Sequence, residues 1–213
     1  MLTFNDILRR RNLHPPLLCG ISHRLLFPEL DPLNYLELLF QTSADIVQWR
    51  EKDLSPEENR VYVRRGVELS RESGKLFLVN SLLEVGLQEG ASGVHLTSGQ
   101  DVKWATEGRF RAALEEFAIG KSVHSLSEAV QAESEGVDYV LLGPIFAPLS
   151  KQTETLPLGG SILLEASQAL GIPVLAVGGL DDSNFQEVFK KGVAGAAGIS
   201  WVQAEIGRLL EKH

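Results

Sequence analysis

Eight short runs of β-forming apolar residues recur along the chain, each followed by an amphipathic stretch, and this alternation limits the fold more than any other feature. The spacing predicts strands over Leu17–Ile21, Asp45–Arg50, Leu76–Asn80, Gly93–Leu96, Ala118–Ser122, Tyr139–Leu142, Val174–Val177 and Ala194–Ile199. Between them it predicts helices over Pro32–Gln41, Pro56–Ser73, Leu82–Glu89, Val102–Glu107, Ser125–Glu135, Ser161–Leu170 and Ser183–Lys190, closed by Trp201–Glu211. Ser125-Leu126-Ser127-Glu128 has the spacing of a capping box, and Gly74, Gly90, Gly136, Gly171 and Gly192 stand where helices should end. Repeated strand–helix units build parallel sheet, and eight of them close into a (β/α)8 TIM barrel, an α/β architecture that 213 residues suffice to make. An open doubly wound sheet usually takes about five or six strands and, in its nucleotide-binding form, a GxGxxG turn after the first. Cys19-Gly20-Ile21-Ser22 does not supply that turn. The expectation is one barrel domain over residues 1–213, with residues 1–16 as an N-terminal extension.

Composition removes several classes of function. Lys and Arg number 20 against 28 Asp and Glu, a formal charge of −8, which argues against general affinity for nucleic acid. No apolar stretch approaches the roughly 20 residues of a membrane span. Arg9-Arg10-Arg11 is followed by Pro15-Pro16 rather than by an apolar signal core, so a cytoplasmic location is expected. The single cysteine, Cys19, excludes an internal disulfide framework and any CxxC site. HExxH, EF-hand and GxxxxGK[ST] patterns do not occur.

In such a barrel the active site lies at the C-terminal ends of the strands, so polar residues there are the informative ones. Alternation puts Gln48, Arg50 and Lys52 on one side of the second strand end and Trp49 and Glu51 on the other. A buried Arg–Glu pair that fastens the strand end is the plainer account. Asn80-Ser81 ends the third strand, where an Asn serves a ligand or a helix cap equally well. The fourth strand brings His95, then Thr97-Ser98-Gly99-Gln100-Asp101, and the fifth brings Ser122 and His124 to one face. His124 suits either acid–base chemistry or a structural hydrogen bond.

Two glycine turns suggest a phosphate site. Gly178-Gly179 ends the seventh strand and Gly198-Ile199-Ser200 the eighth, just before a helix. Loops there expose backbone N–H groups at a helix N-terminus, although tight turns alone would explain the glycines. The longest connection, residues 143–160, carries Ser150 and Lys151 between Pro and Gly residues, which fits either a lid or a disordered loop.

Taken in order, Gln48-Trp49-Arg50-Glu51-Lys52, Val79-Asn80, Gly93-Val94-His95, Ser122-Val123-His124-Ser125, Asp138-Tyr139-Val140, Gly143-Pro144-Ile145-Phe146 and Pro173 to Leu180 resemble the thiamine-phosphate synthase and TenI superfamily, over about Leu17 to Ser200. The resemblance implies that Gln48, Arg50, Lys52 and Asn80 hold a pyrophosphate. It matches Ser122 to the family's serine, Lys151 to its lid lysine, and Gly178, Gly179, Ile199 and Ser200 to its thiazole-phosphate cradle. It also implies Mg²⁺, with Asp101 as the carboxylate this chain offers, because Ser81 stands where the synthases have Asp. The segment around His124 is closest to the TenI form, which implies a thiazole tautomerase with His124 as acid and base and Ser150 at the position of the lid cysteine. Three activities stay open: a TenI-like protein acting on a thiazole phosphate, a synthase joining that phosphate to hydroxymethylpyrimidine diphosphate, and a non-catalytic phosphate-binding regulator. Related barrels are often homodimers.

Overall fold

The computed structural model describes residues 2–114, 116–147 and 156–212. Helix α1 (Phe4–Arg10) precedes the repeating units β1 (Leu17–Ile21), α2 (Pro32–Gln41), β2 (Ile46–Trp49), α3 (Pro56–Ser73), β3 (Leu76–Asn80), α4 (Leu83–Glu89), β4 (Gly93–Leu96) and α5 (Val102–Arg111). They continue with β5 (Ala118–Val123), α6 (Leu126–Ser134), β6 (Tyr139–Leu142), α7 (Ser161–Ala169), β7 (Val174–Val177), α8 (Phe185–Phe189), β8 (Gly195–Gly198) and α9 (Ser200–Leu210). The eight strands run parallel in sequence order, and β8 closes on β1 with Leu17 opposite Gly195.

Period-two alternation divides the apolar residues into two layers. Val47, Trp49, Phe77, Val79, Ile119 and Val140 pack outward with the helices. Ile46, Leu76, Leu78, Ala118, Tyr139 and Leu141 form the barrel interior with Leu17, Cys19 and Leu175. Phe4, Ile7 and Leu8 of α1 belong to that interior cluster, and Phe4 stacks on Tyr139 with ring centroids 4.7 Å apart. Part of the extension is therefore a helix that plugs the barrel. Gly120 makes room for the Tyr139 ring, since a Cβ there would lie 2.0 Å from Cζ.

Local chemistry sets the helix ends. Ser55 and Glu58 close a capping box on α3, Pro56 occupies its first turn, and Gly74 ends it at φ 77°. At α6 the box is only half made. Ser125 Oγ accepts from Glu128 N at 3.1 Å, but Glu128 Oε2 accepts from His124 N at 2.8 Å instead of from the cap residue. Gly171 does not take a positive φ; its N–H donates to Glu133 Oε1 at 2.7 Å, and Leu170 ends α7 in extended conformation. Helix α8 is shorter than the expected Ser183–Lys190, because Asp181 and Asn184 bind each other's backbone in a preceding turn. Helix α5 runs past Glu107 to Arg111, as Arg109 is anchored on Asp138. No helix among the described residues is long and apolar enough to cross a membrane.

Candidate active site

Following the inward positions up each strand, the interior turns from apolar to polar at the C-terminal ends. Leu76 and Leu78 give way to Asn80, Ala118 and Gly120 to Ser122, and Ile46 to Gln48 and Arg50. These residues, with His95, His124, Val177 and Ile199, line a cavity of about 270 Å³ at the mouth. Gln48, Arg50, Asn80, Ser122 and His124 thus converge as alternation predicts.

Gln48 is buried, and its Oε1 accepts from Asn80 Nδ2 at 3.2 Å. Its Nε2 is also buried and has no partner among the described residues, so a donor is left for an acceptor in the mouth. Arg50 is half-buried, and its backbone N–H donates to Ser22 Oγ at 2.7 Å. Burial pulls its guanidinium pKa down, with neighbouring Glu51 acting in the opposite direction. Glu51 does not pair with Arg50. It accepts from Arg24 N at 3.1 Å and lies 3.9 Å from the Arg24 guanidinium, and burial raises its pKa. The expected fastening pair therefore involves Arg24, and Arg50 keeps no ion-pair partner among the described residues. Lys52 departs from the alternation, because β2 ends at Trp49. It is exposed and lines an adjoining cleft of about 420 Å³ with Asn80, Ser81, Thr97 and Gln100.

His95 is the site residue that sequence reasoning noted but gave no role. Asn80 and His95 are register partners, and inward-facing Gly93 two residues earlier was the available signal. Its Nδ1 lies 3.0 Å from Tyr139 Oη and its Nε2 2.9 Å from Ser122 Oγ. Burial, with Arg50 adding to it, pushes the imidazole pKa down to about 3, so it is neutral at physiological pH. The unfolded chain protonates this group near pH 6.5 and the native state does not, so stability falls as pH drops from 6.5 towards 3. Relative to His95→Gln, the wild-type chain should lose up to about 1.4 kcal/mol more per pH unit in that window, measured by urea unfolding. Parallel stability curves would refute the assignment.

His124 sits just beyond β5, and its Nδ1 donates to the Gly143 carbonyl at 2.6 Å. That bond places a hydrogen on Nδ1 and orients the ring. Gly178 and Gly179 take φ 95° and 65°, and a Cβ would lie 2.7 Å from Pro144 Cα and 2.6 Å from the Ala147 carbonyl oxygen respectively. Glycine is needed there for packing as well as for any ligand approach. Ser200 begins α9 and Ile199 is its cap residue, so their backbone stands at a helix N-terminus on the same rim. Ser150 and Lys151 lie outside the described residues.

The site does not fit a resident divalent cation. Asp101, the candidate ligand, caps α5 by accepting from Lys103 N at 2.9 Å. Ser81 Oγ donates to Gln100 Oε1 at 2.8 Å. Among the described residues no group of three or more His, Cys, Asp or Glu side chains could hold a metal.

Comparison with known proteins identifies the family and matches the fold. The family model described as thiamine monophosphate synthase matches residues 18–202. The thiamine-phosphate synthase of Chlorobium phaeovibrioides is 36% identical over 187 residues, covering 88% of this chain and 86% of that protein. The putative thiamine-phosphate synthase 2 of Aquifex aeolicus is 35% identical over 185 residues, 87% of this chain and 96% of that protein. Among solved structures, thiamine phosphate pyrophosphorylase from Pyrococcus furiosus superposes with a TM-score of 0.77 at 28% identity, covering 96% of this chain and 98% of that one.

Proposed function

Because the chain belongs to the thiamine monophosphate synthase family, we propose that it joins hydroxymethylpyrimidine diphosphate to a thiazole phosphate at the barrel mouth, releasing pyrophosphate. The observation that carries this reading is Arg50, a half-buried cation without an ion-pair partner among the described residues, standing beside the orphaned Gln48 amide. Relatives that are synthases favour this transfer over the proton transfer that the TenI-like segment suggested.

In the reaction the thiazole nitrogen forms a bond to the pyrimidine methylene carbon while the carbon–oxygen bond to the diphosphate breaks. The leaving oxygen takes the electron pair, and the ring nitrogen becomes cationic. Negative charge thus grows on the diphosphate, and fixed donors aimed at it lower the barrier. We assign that work to Arg50, Lys52, Gln48 and Asn80. Backbone N–H groups of Gly178, Gly179, Ile199 and Ser200 take the thiazole phosphate across the mouth, where the α9 dipole favours an anion. Ser122, hydrogen-bonded to neutral His95, presents a rigid polar floor to the ring between them.

A second reading has one specific observation in its favour. The ring of His124 is oriented by its Nδ1–H bond to the Gly143 carbonyl, and Nε2 is the nitrogen left to exchange a proton with a ligand. The test supplies the full chain with both phosphorylated substrates and Mg²⁺, then with a non-aromatic thiazole carboxylate phosphate alone, and follows masses and released pyrophosphate. The coupled product is expected in the first reaction. Aromatisation in the second without coupling in the first would replace transfer with the tautomerase assignment.

A further inference from the structure

The cleft beside the mouth, where the resemblance implies a metal, holds instead an amide and hydroxyl network centred on Gln100. Gln100 Oε1 accepts from Thr97 N at 2.9 Å, from Thr97 Oγ1 at 3.2 Å and from Ser81 Oγ at 2.8 Å. A backbone N–H can only donate, so the atom it meets is the amide oxygen. The Gln100 NH₂ is then the end left to the cleft that Gln100 lines. Ser81 is committed to this network in left-handed conformation, φ 61°.

Among the described residues, the one carboxylate residue that lines the cleft, Glu51, is already committed to another partner. Asp101 caps its own helix, and Glu51, 6% exposed, is engaged by Arg24. One cation, Lys52, lines it; Arg50 stands at the adjoining mouth, and Lys121 Nζ donates to the Gln100 carbonyl at 2.9 Å. A hard dication needs about six oxygen ligands, carboxylates among them, and is repelled by nearby ammonium and guanidinium groups. A diphosphate has the opposite preferences.

We propose that this cleft is a metal-free diphosphate cradle in which the Lys52 ammonium and the Gln100 amide N–H groups grip the phosphate oxygens directly. The protein holds no Mg²⁺ of its own, and any Mg²⁺ arrives on the diphosphate. The inference rests on the transfer reading and deepens it.

Two measurements on the full chain decide it. Electron paramagnetic resonance should detect no stoichiometric Mn²⁺ binding to the ligand-free protein at millimolar metal. Calorimetry with inorganic pyrophosphate should give affinities within about threefold of each other in EDTA and in Mg²⁺. Lys52→Gln, at an exposed position that the fold does not depend on, should weaken metal-free pyrophosphate binding about tenfold, as should Gln100→Ala. Stoichiometric Mn²⁺ binding, or pyrophosphate binding that requires Mg²⁺, would overturn the cradle and leave the transfer reading intact. An unchanged affinity in Lys52→Gln would overturn it as well. If pyrophosphate binds in neither buffer the cradle is lost, and the transfer reading is then judged by its own product assay.

Discussion

Arg50→Ala should lower kcat for coupling about 10³-fold, roughly 4 kcal/mol of transition-state stabilisation, while changing KM for the thiazole phosphate much less. A half-buried guanidinium without a partnered carboxylate among the described residues is desolvated before any ligand arrives, and burial already pulls its pKa down. Its charge is therefore poised for an anion that forms during the reaction and costs little reorganisation when that anion appears. Removing an unpaired, half-buried charge leaves the thermal midpoint unchanged or slightly raised, whereas removing a paired one lowers it. Arg50→Lys keeps the charge but loses the planar fork, and should recover only part of the rate. A large fall in thermal midpoint together with near-normal kcat in Arg50→Ala would reverse the assignment and make Arg50 a structural residue.

Asp138→Ala should destabilise the barrel by about 4 kcal/mol, and at the ~2–4 °C per kcal/mol expected for a domain of this size that is a fall of roughly 10 °C. Asp138 lies just before β6, and its Oδ2 accepts from Ile119 N at 2.7 Å and from the Arg109 guanidinium. Arg109, 7% exposed, also donates to the Phe117 carbonyl at 3.2 Å. One carboxylate thus joins α5, β5 and β6 at the end of the barrel away from the mouth, where strand-start residues serve stability. Truncating it strands a buried guanidinium and frees the Ile119 N–H, and both losses add to the removal of the pair itself. The double substitution Arg109→Met with Asp138→Leu should regain most of the loss, since no uncompensated charge is left behind. Differential scanning calorimetry distinguishes the cases. A single-variant shift of only 1–2 °C, of the order expected from a contact worth about 0.5 kcal/mol, would mean that solvent screens this pair.

The barrel was legible in the sequence because period-two alternation fixes which face of each strand is inward, and eight repeats leave few other ways to pair them. Gln48, Arg50, Asn80, Ser122 and His124 were found together by that rule, since each lies on a strand or one residue past its end. Lys52 was misplaced because strand alternation was carried beyond Trp49, where the backbone had already turned. Glu128 was assigned to its own cap, but reaching back to His124 N satisfies a donor that the turn would otherwise leave open. His95 lay in plain view, but the partners that give it a role, Tyr139 and Ser122, are 44 and 27 residues away.

By itself, then, the order of apolar and polar residues determined the architecture, the mouth at which chemistry is concentrated, and the family. Those properties are encoded in local periodicity and in side-chain identity, which fold with their neighbours in the chain. The tertiary structure alone decided which polar groups are paired: Glu51 goes to Arg24 and leaves Arg50 open, Asp101 is spent on its own helix, and Gln100 Oε1 gathers Ser81 and Thr97 beside the mouth. It also turned part of the N-terminal extension into the helix that plugs the barrel beneath Tyr139. The reason is that hydrogen-bond and ion-pair energies fall off within a few ångströms, so the partner of a polar group is set by the closure of the barrel and not by its place in the chain.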